Sequence, residues 1–317
     1  MAVGAAAPNF FNKSPFDMVP AGGKLQKCTY NFAAVQKEMW YLLYTPSCLN
    51  LKDGKASTTR RSKQSLPLVV ALHGLFCGPN HIMNFDGLML EAERRGYLVV
   101  APMGYNNHAW YGCFENLKLK KHDPSEDDNQ GYRSEQDVLN VVDEIRRQFP
   151  VDAHRIYLTG HSMGGAGTVH LGAKYPMLWA AVAPLSPALP FQDPEKKCSQ
   201  LKELPVYMAT GDKDPVCRID GVRQWIRLLK GMGATCELLT LEGDHLAPSM
   251  QAHCFTKIFD FFDTHPRSSP APPSVLAKPL DCDNGGAVAV AAGRGRGADH
   301  RCSGCFEAFK AFFSKRS

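Results

Sequence analysis

The sequence predicts an α/β fold: a mainly parallel central sheet with helices on both of its faces. Short, continuous apolar runs, Leu68-Val69-Val70-Ala71-Leu72 above all, suit strands that are covered on both sides. They alternate with segments whose apolar residues recur at helical spacing, which implies right-handed crossovers and ligand chemistry at the carboxyl ends of the strands.

The elements follow in order. Residues 39–44 are aromatic and apolar and stop at Pro46, as an early antiparallel strand would. Residues 50–65, rich in Lys, Arg, Ser and Thr and without periodicity, read as a solvated loop. The strand at 68–72 empties into His73-Gly74. A helix over 85–95 then leads through Gly96 to a strand at 97–101, which Pro102 ends. Residues 104–131 lapse into a long loop at one end of the sheet, a common place for substrate contacts. A helix over 134–149 is expected next, capped by Ser134-x-x-Asp137, with Val138, Val141, Val142, Ile145 and Phe149 on one face. Strands at 155–159, 180–185, 206–209 and 236–241 and helices at 164–175, 222–229 and 250–264 complete the series.

One folded domain over 26–265 is therefore expected, after an N-terminal extension at 1–25. Beyond it the composition turns to Pro, Gly, Ala and Ser, which reads as a disordered linker at 266–304. A short tail at 305–317 repeats phenylalanine at three and four residues beside Lys and Arg. It offers at most a weak amphipathic contact with a membrane or another protein.

Of the formal net charge of +5, residues 293–317 carry +4, so the domain itself is nearly neutral and nucleic acid is not an expected partner. No run is long and apolar enough to span a membrane, and residues 1–23 lack the pattern of a secretory signal, so a cytoplasmic protein is expected. The eleven cysteines are odd in number and irregular in spacing, which fits reduced core residues better than disulfides. His300, Cys302 and Cys305 make only half of a zinc site, so no metal is assigned.

The sharpest motif is Gly160-His161-Ser162-Met163-Gly164-Gly165, between a predicted strand and a predicted helix. Small residues on both sides of a serine allow a strained turn that projects its oxygen from the sheet, and the following helix points its free amides at an anion formed there. A serine hydroxyl needs a base within reach and a carboxylate to orient that base. His245, on the loop Glu242-Gly243-Asp244-His245, is the expected base. Asp214 is the favoured acid, with Asp212 of the same loop as the competitor, because Asp212 is better placed to hydrogen-bond the turn. The backbone N–H groups of Met163 and Leu75 are the expected oxyanion donors, so Leu75→Ala should be mild and a proline there severe. Phe76, Trp110, Tyr111 and His161 are the candidates for substrate contact. His161 adjoins Ser162, but successive side chains diverge in such a turn, so it is not expected to be the base.

Together these residues resemble the α/β-hydrolase superfamily, and within it the polyhydroxybutyrate-depolymerase, feruloyl-esterase and predicted-peptidase group. Over residues 39–265 the resemblance implies an α/β-hydrolase fold. It also implies cofactor-free hydrolysis of carboxylic esters, small or polymer-derived, through an acyl-enzyme. An amide-hydrolysing enzyme with the same triad, and a non-catalytic interaction protein on this scaffold, are the alternatives.

Overall fold

The computed structural model describes residues 14–49, 51–52, 55–56, 65–114, 129–189 and 193–274. The basic tail, the His300, Cys302 and Cys305 group, most of the 50–65 loop and residues 115–128 lie outside the described residues.

The chain enters its sheet through an antiparallel hairpin, β1 (Lys24–Phe32) and β2 (Lys37–Thr45), turned at Gln36 in a left-handed conformation. A single early strand at 39–44 was expected. β1 escaped that reading because Lys24, Gln26, Lys27, Thr29 and Asn31 dilute its apolar alternation, as suits an edge strand with a wet face. A small separate ribbon joins β3 (Leu51–Lys52) to β4 (Lys55–Ala56).

The centre of the sheet is β5 (Leu66–Leu72), every residue of which is buried. Leu68, Val70 and Leu72 pack into one apolar cluster and Val69 and Ala71 into another, because side chains alternate across a strand. The remaining strands are β6 (Leu98–Pro102), β7 (Val151–His161), β8 (Val182–Leu185), β9 (Val206–Gly211) and β10 (Cys236–Leu241). The eight-stranded order is β1-β2-β6-β5-β7-β8-β9-β10, parallel from β6 to β10.

The described helices are α1 (Pro79–Met83), α2 (Leu88–Arg95), α3 (Gln130–Gln148), α4 (Met163–Lys174), α5 (Pro194–Leu201), α6 (Ile219–Gly231), α7 (Ala247–Met250) and α8 (His253–Thr264). Val138 and Val142 of α3, Val169 of α4, Leu201 of α5 and Trp225 of α6 cover one face of the sheet. Ile82, Leu88, Phe255 and Phe259, from α1, α2 and α8, cover the other.

Three boundaries differ from the sequence reading for physical reasons. The helix expected over 85–95 begins only at Leu88, after Gly87, whose φ of 90° lets the backbone of Ala252 approach so closely that a Cβ would meet its oxygen at 2.6 Å, and a separate short helix, Pro79–Met83, precedes it. The helix expected from Ser134 begins at Gln130. Ser134 is therefore no cap: it is buried, its hydroxyl takes the Tyr111 N–H, and Asp137 is buried beneath the Gly104 and Tyr105 amides. Residues 266–274, read by composition as linker, pack on the domain: Arg267 reaches the carbonyls of Pro176 and Trp179, and Ala271 donates to Ala153.

Leu72 pairs with Gly160 and His161 with Leu185, so β5, β7 and β8 finish side by side. The loops that follow them share one edge.

Candidate active site

Ser162 stands between β7 and α4 with φ 59° and ψ −113°, a conformation a residue with a Cβ adopts only under constraint, at a cost of about 1–3 kcal/mol. The surroundings supply the constraint. Its N–H donates to Leu185, and its carbonyl accepts from Ala166 and Ala188. A Cβ on Gly160 would come within 2.4 Å of the Gly164 oxygen, and one on Gly164 within 2.2 Å of the Leu72 oxygen. The small residues of the motif are thus what lets strand, turn and helix approach closely enough to hold the serine.

Asp214 and His245 come from the ends of β9 and β10. His245 Nδ1 lies 2.8 Å from Asp214 Oδ2, while Asp214 Oδ1 accepts the N–H groups of Val216 and Cys217, each at 2.8 Å. The carboxylate is therefore fixed in its loop by backbone and presents its second oxygen to the imidazole. Asp212 points elsewhere, accepting the N–H of Gly243 at 2.8 Å, and Lys213 donates its backbone N–H to the Gly243 carbonyl. The competitor acid thus ties the loop of Asp214 to the loop of His245.

His161 closes the arrangement. Its Nε2–H donates to the carbonyl of His245 at 2.8 Å, and the two rings lie 4.7 Å apart. Burial, with His245 and His81 nearby, holds its imidazole well below the usual histidine range, so the ring is neutral. His161 is buried, its ring packed against Phe85.

The loop after β5 is ordered by its own amides. Phe76 N donates to Asn107 O and Cys77 N to Gly74 O, whereas among the described residues the amides of Leu75 and Met163 have no acceptor in the fold. Gly74 lies against the serine: a Cβ there would be 3.6 Å from Ser162 Cβ. Of the four residues expected at the substrate, Phe76 is part-exposed, with φ 59°, but Trp110 and Tyr111 are 1% and 0% exposed. Tyr111 donates to the His73 carbonyl, so these two rings support the loops from below instead of lining a cleft.

Sequence reasoning missed Asn107, which fixes Phe76, and Cys217, which borders the acid. The signal for Cys217 was local, since an Asp-Pro-Val-Cys segment readily forms a turn in which the aspartate accepts amides two and three residues on. Burial, then the nearby Asp214 charge, raises the Cys217 thiol well above its ordinary value.

Comparison with known proteins bears on family and fold. A family model described as "Putative esterase" matches residues 57–229, more than half of the chain, reaching Ser162 and Asp214 but stopping short of His245. The bifunctional acetylxylan esterase/xylanase XynS20E of Neocallimastix patriciarum is 26% identical over 161 residues, 51% of this chain and 21% of that protein. The S-formylglutathione hydrolase of Rattus norvegicus is 30% identical over 135 residues, 38% of this chain and 46% of that one. The chain spans less than half the length of the curated relatives it matches. Among solved structures, an S-formylglutathione hydrolase from Staphylococcus aureus superposes with a TM-score of 0.56 at 16% identity, over 78% of this chain and 97% of that one. A CE1 ferulic acid esterase from Anaeromyces mucronatus gives 0.53 at 15%, over 77% and 90%. With the parallel sheet, the strained serine turn and this match in agreement, the chain belongs to the esterase family and has the α/β-hydrolase fold.

Proposed function

We propose that this protein hydrolyses carboxylic esters through an acyl-enzyme formed on Ser162. The observation that carries the reading is the Asp214–His245 pair, 2.8 Å apart and held beside the strained serine turn by the bond from His161. In this mechanism Ser162 Oγ attacks the ester carbonyl while its proton passes to His245 Nε2. Asp214 keeps the other ring nitrogen protonated and steadies the imidazolium that forms. The oxyanion takes hydrogen bonds from the Leu75 and Met163 amides, donors worth about 2.7–4 kcal/mol each in the transition state. His245 then gives its proton to the departing alcohol. Water, deprotonated by the same ring, splits the acyl-enzyme and restores Ser162.

The substrate in this reading is a small or polymer-derived ester. The names of the relatives span acetylxylan and S-formylglutathione. A panel of formyl, acetyl and feruloyl esters ranks these acyl classes directly. A reducing compartment also belongs to the reading, because all eight described cysteines are free thiols. Among the described residues no helix is long and apolar enough to cross a membrane.

Ser162→Ala is the test. It should lower turnover of an activated ester by about 10⁶, as such removals do, and abolish labelling by a fluorophosphonate. Unchanged turnover or labelling would overturn the assignment.

A further inference from the structure

Three side chains at the triad's rear have a property the ester chemistry does not use. One donor atom each from Asp214, Cys217 and His245, a carboxylate oxygen, a sulfur and an imidazole nitrogen, all lie within 4.8 Å of one another. The three residues are only 5%, 7% and 9% exposed. We propose that they form a binding site for a thiophilic divalent cation of the zinc type, and that filling it switches hydrolysis off. The proposal rests on the catalytic reading above, because it turns on what a cation does to His245.

Donor chemistry selects the class of ion. A sulfur and an imidazole beside one carboxylate favour zinc over magnesium or calcium, which take oxygen ligands. Zinc holds sulfur at about 2.3 Å and nitrogen or oxygen at about 2.0–2.2 Å in tetrahedral array, so its donors stand about 3.3–3.7 Å apart. To reach that geometry the His245 Nδ1–Asp214 Oδ2 pair, now 2.8 Å apart, must open by about 0.5 Å, and no other donor pair has to close by more than about 1.5 Å. The carboxylate is already oriented to bind, since Oδ1 stays with the Val216 and Cys217 amides and leaves Oδ2 for the ion. A surface pocket bordered by Asp212, Lys213, Asp214, Arg218 and Asp220 lies beside the three donors, with the Asp214 carboxylate itself buried behind it.

Binding releases one proton and relocates another. Cys217 loses its thiol proton to solvent and binds as thiolate. The His245 proton moves from Nδ1 to Nε2, and the freed Nδ1 lone pair binds the ion together with Asp214 Oδ2. The ring stays neutral, but Nε2 now carries hydrogen and has no lone pair for the proton of Ser162. Attack on the ester then lacks its base.

The experiment uses the full chain, an activated acetate ester and zinc chloride, with a chelator to reverse binding. Each protein is read as the ratio of its rates with and without zinc, so differences in basal rate cancel. Zinc should inhibit the parent protein reversibly. Cys217→Ser should raise the half-inhibitory concentration tenfold or more, and Cys77→Ser should leave it unchanged. Cadmium titration supplies a readout free of turnover: the sulfur-to-cadmium absorption band should weaken in Cys217→Ser and not in Cys77→Ser. Equal zinc sensitivity of Cys217→Ser and the parent, or an unaltered cadmium band, overturns the site. Cys217→Ala gives the same two readouts if the serine variant does not fold. Failure of the catalytic reading looks different: no metal-free turnover and no fluorophosphonate labelling at Ser162, with the cadmium band intact.

Discussion

His161 Nε2 donates to the carbonyl of His245 across 84 residues of sequence, joining the strand that carries Ser162 to the loop that carries the imidazole. This bond, with Asp212 on Gly243, makes the acid loop, the base loop and the serine turn one framework. It explains why a histidine beside the serine is buried and kept neutral, since its role is to hold a neighbour.

Removing that tie should misplace the base without touching it. His161→Leu leaves the His245 carbonyl buried without its donor, at a cost of about 1–3 kcal/mol. A shift of the base on the order of 1 Å costs about 100-fold in rate. Steady-state kinetics should therefore show a fall in kcat with KM nearly constant. His161→Gln, which restores a donor, should recover part of the loss.

The two acids of the β9 loop should separate cleanly. Asp214→Asn gives His245 the wrong partner and should lower kcat by about 10⁴-fold. Asp212→Asn weakens one bond to a turn amide, worth about 1 kcal/mol, and should cost less than about tenfold. A larger loss from Asp212→Asn than from Asp214→Asn in parallel kcat measurements would reverse the assignment.

Gly164 and Gly221 should respond with opposite signs to alanine. At Gly164 the new methyl would meet the Leu72 oxygen at 2.2 Å and the His73 oxygen at 2.7 Å, so β5 and the serine turn must part. Overpacking against backbone should cost at least about 3 kcal/mol. At Gly221, inside α6, nothing lies within 4 Å of the added methyl, and the helix should gain about 0.5–1 kcal/mol. Urea unfolding of the two variants measures both.

Asp137 should make stability fall as pH rises through the weakly acidic range. Burial raises its carboxyl from an ordinary 3.8 to about 6, although Tyr30 and the amides of Gly104 and Tyr105 pull the other way. Between those values the folded protein holds the proton and the unfolded chain has released it, so the folded state loses ground as pH increases. The difference in unfolding free energy between parent and Asp137→Asn should therefore shift by roughly 2–2.5 kcal/mol, against the parent, between about pH 4 and pH 7. A flat difference would show that Asp137 titrates alike in both states.

The serine turn was legible in the sequence because Gly160, Gly164 and Gly165 stand at fixed offsets from Ser162, although Gly164 makes room for Leu72 and His73 and Gly165 for Leu185 and Pro187, on or just beyond neighbouring strands. The apolar runs of β5 and β6 were legible too, since burial on both faces leaves no polar position. The edge strand β1 was not, because a strand with one wet face borrows its order from β2, its partner. Nor did composition reveal that residues 266–274 pack, as their bonds go to Ala153, Pro176 and Trp179, far away in the chain.

The sequence by itself determined the α/β order, the turn that presents Ser162, and the loops from which an acid and a base could come. Only the tertiary structure decided which acid meets the imidazole, that His161 is a brace, that Trp110 and Tyr111 lie beneath the loops, and that Cys217 sits with Asp214 and His245. The physical reason is one of range. A strained turn and an apolar strand leave their mark in residue types close together in the chain, whereas a hydrogen bond between side chains depends on directions fixed only when separate strands align in one sheet.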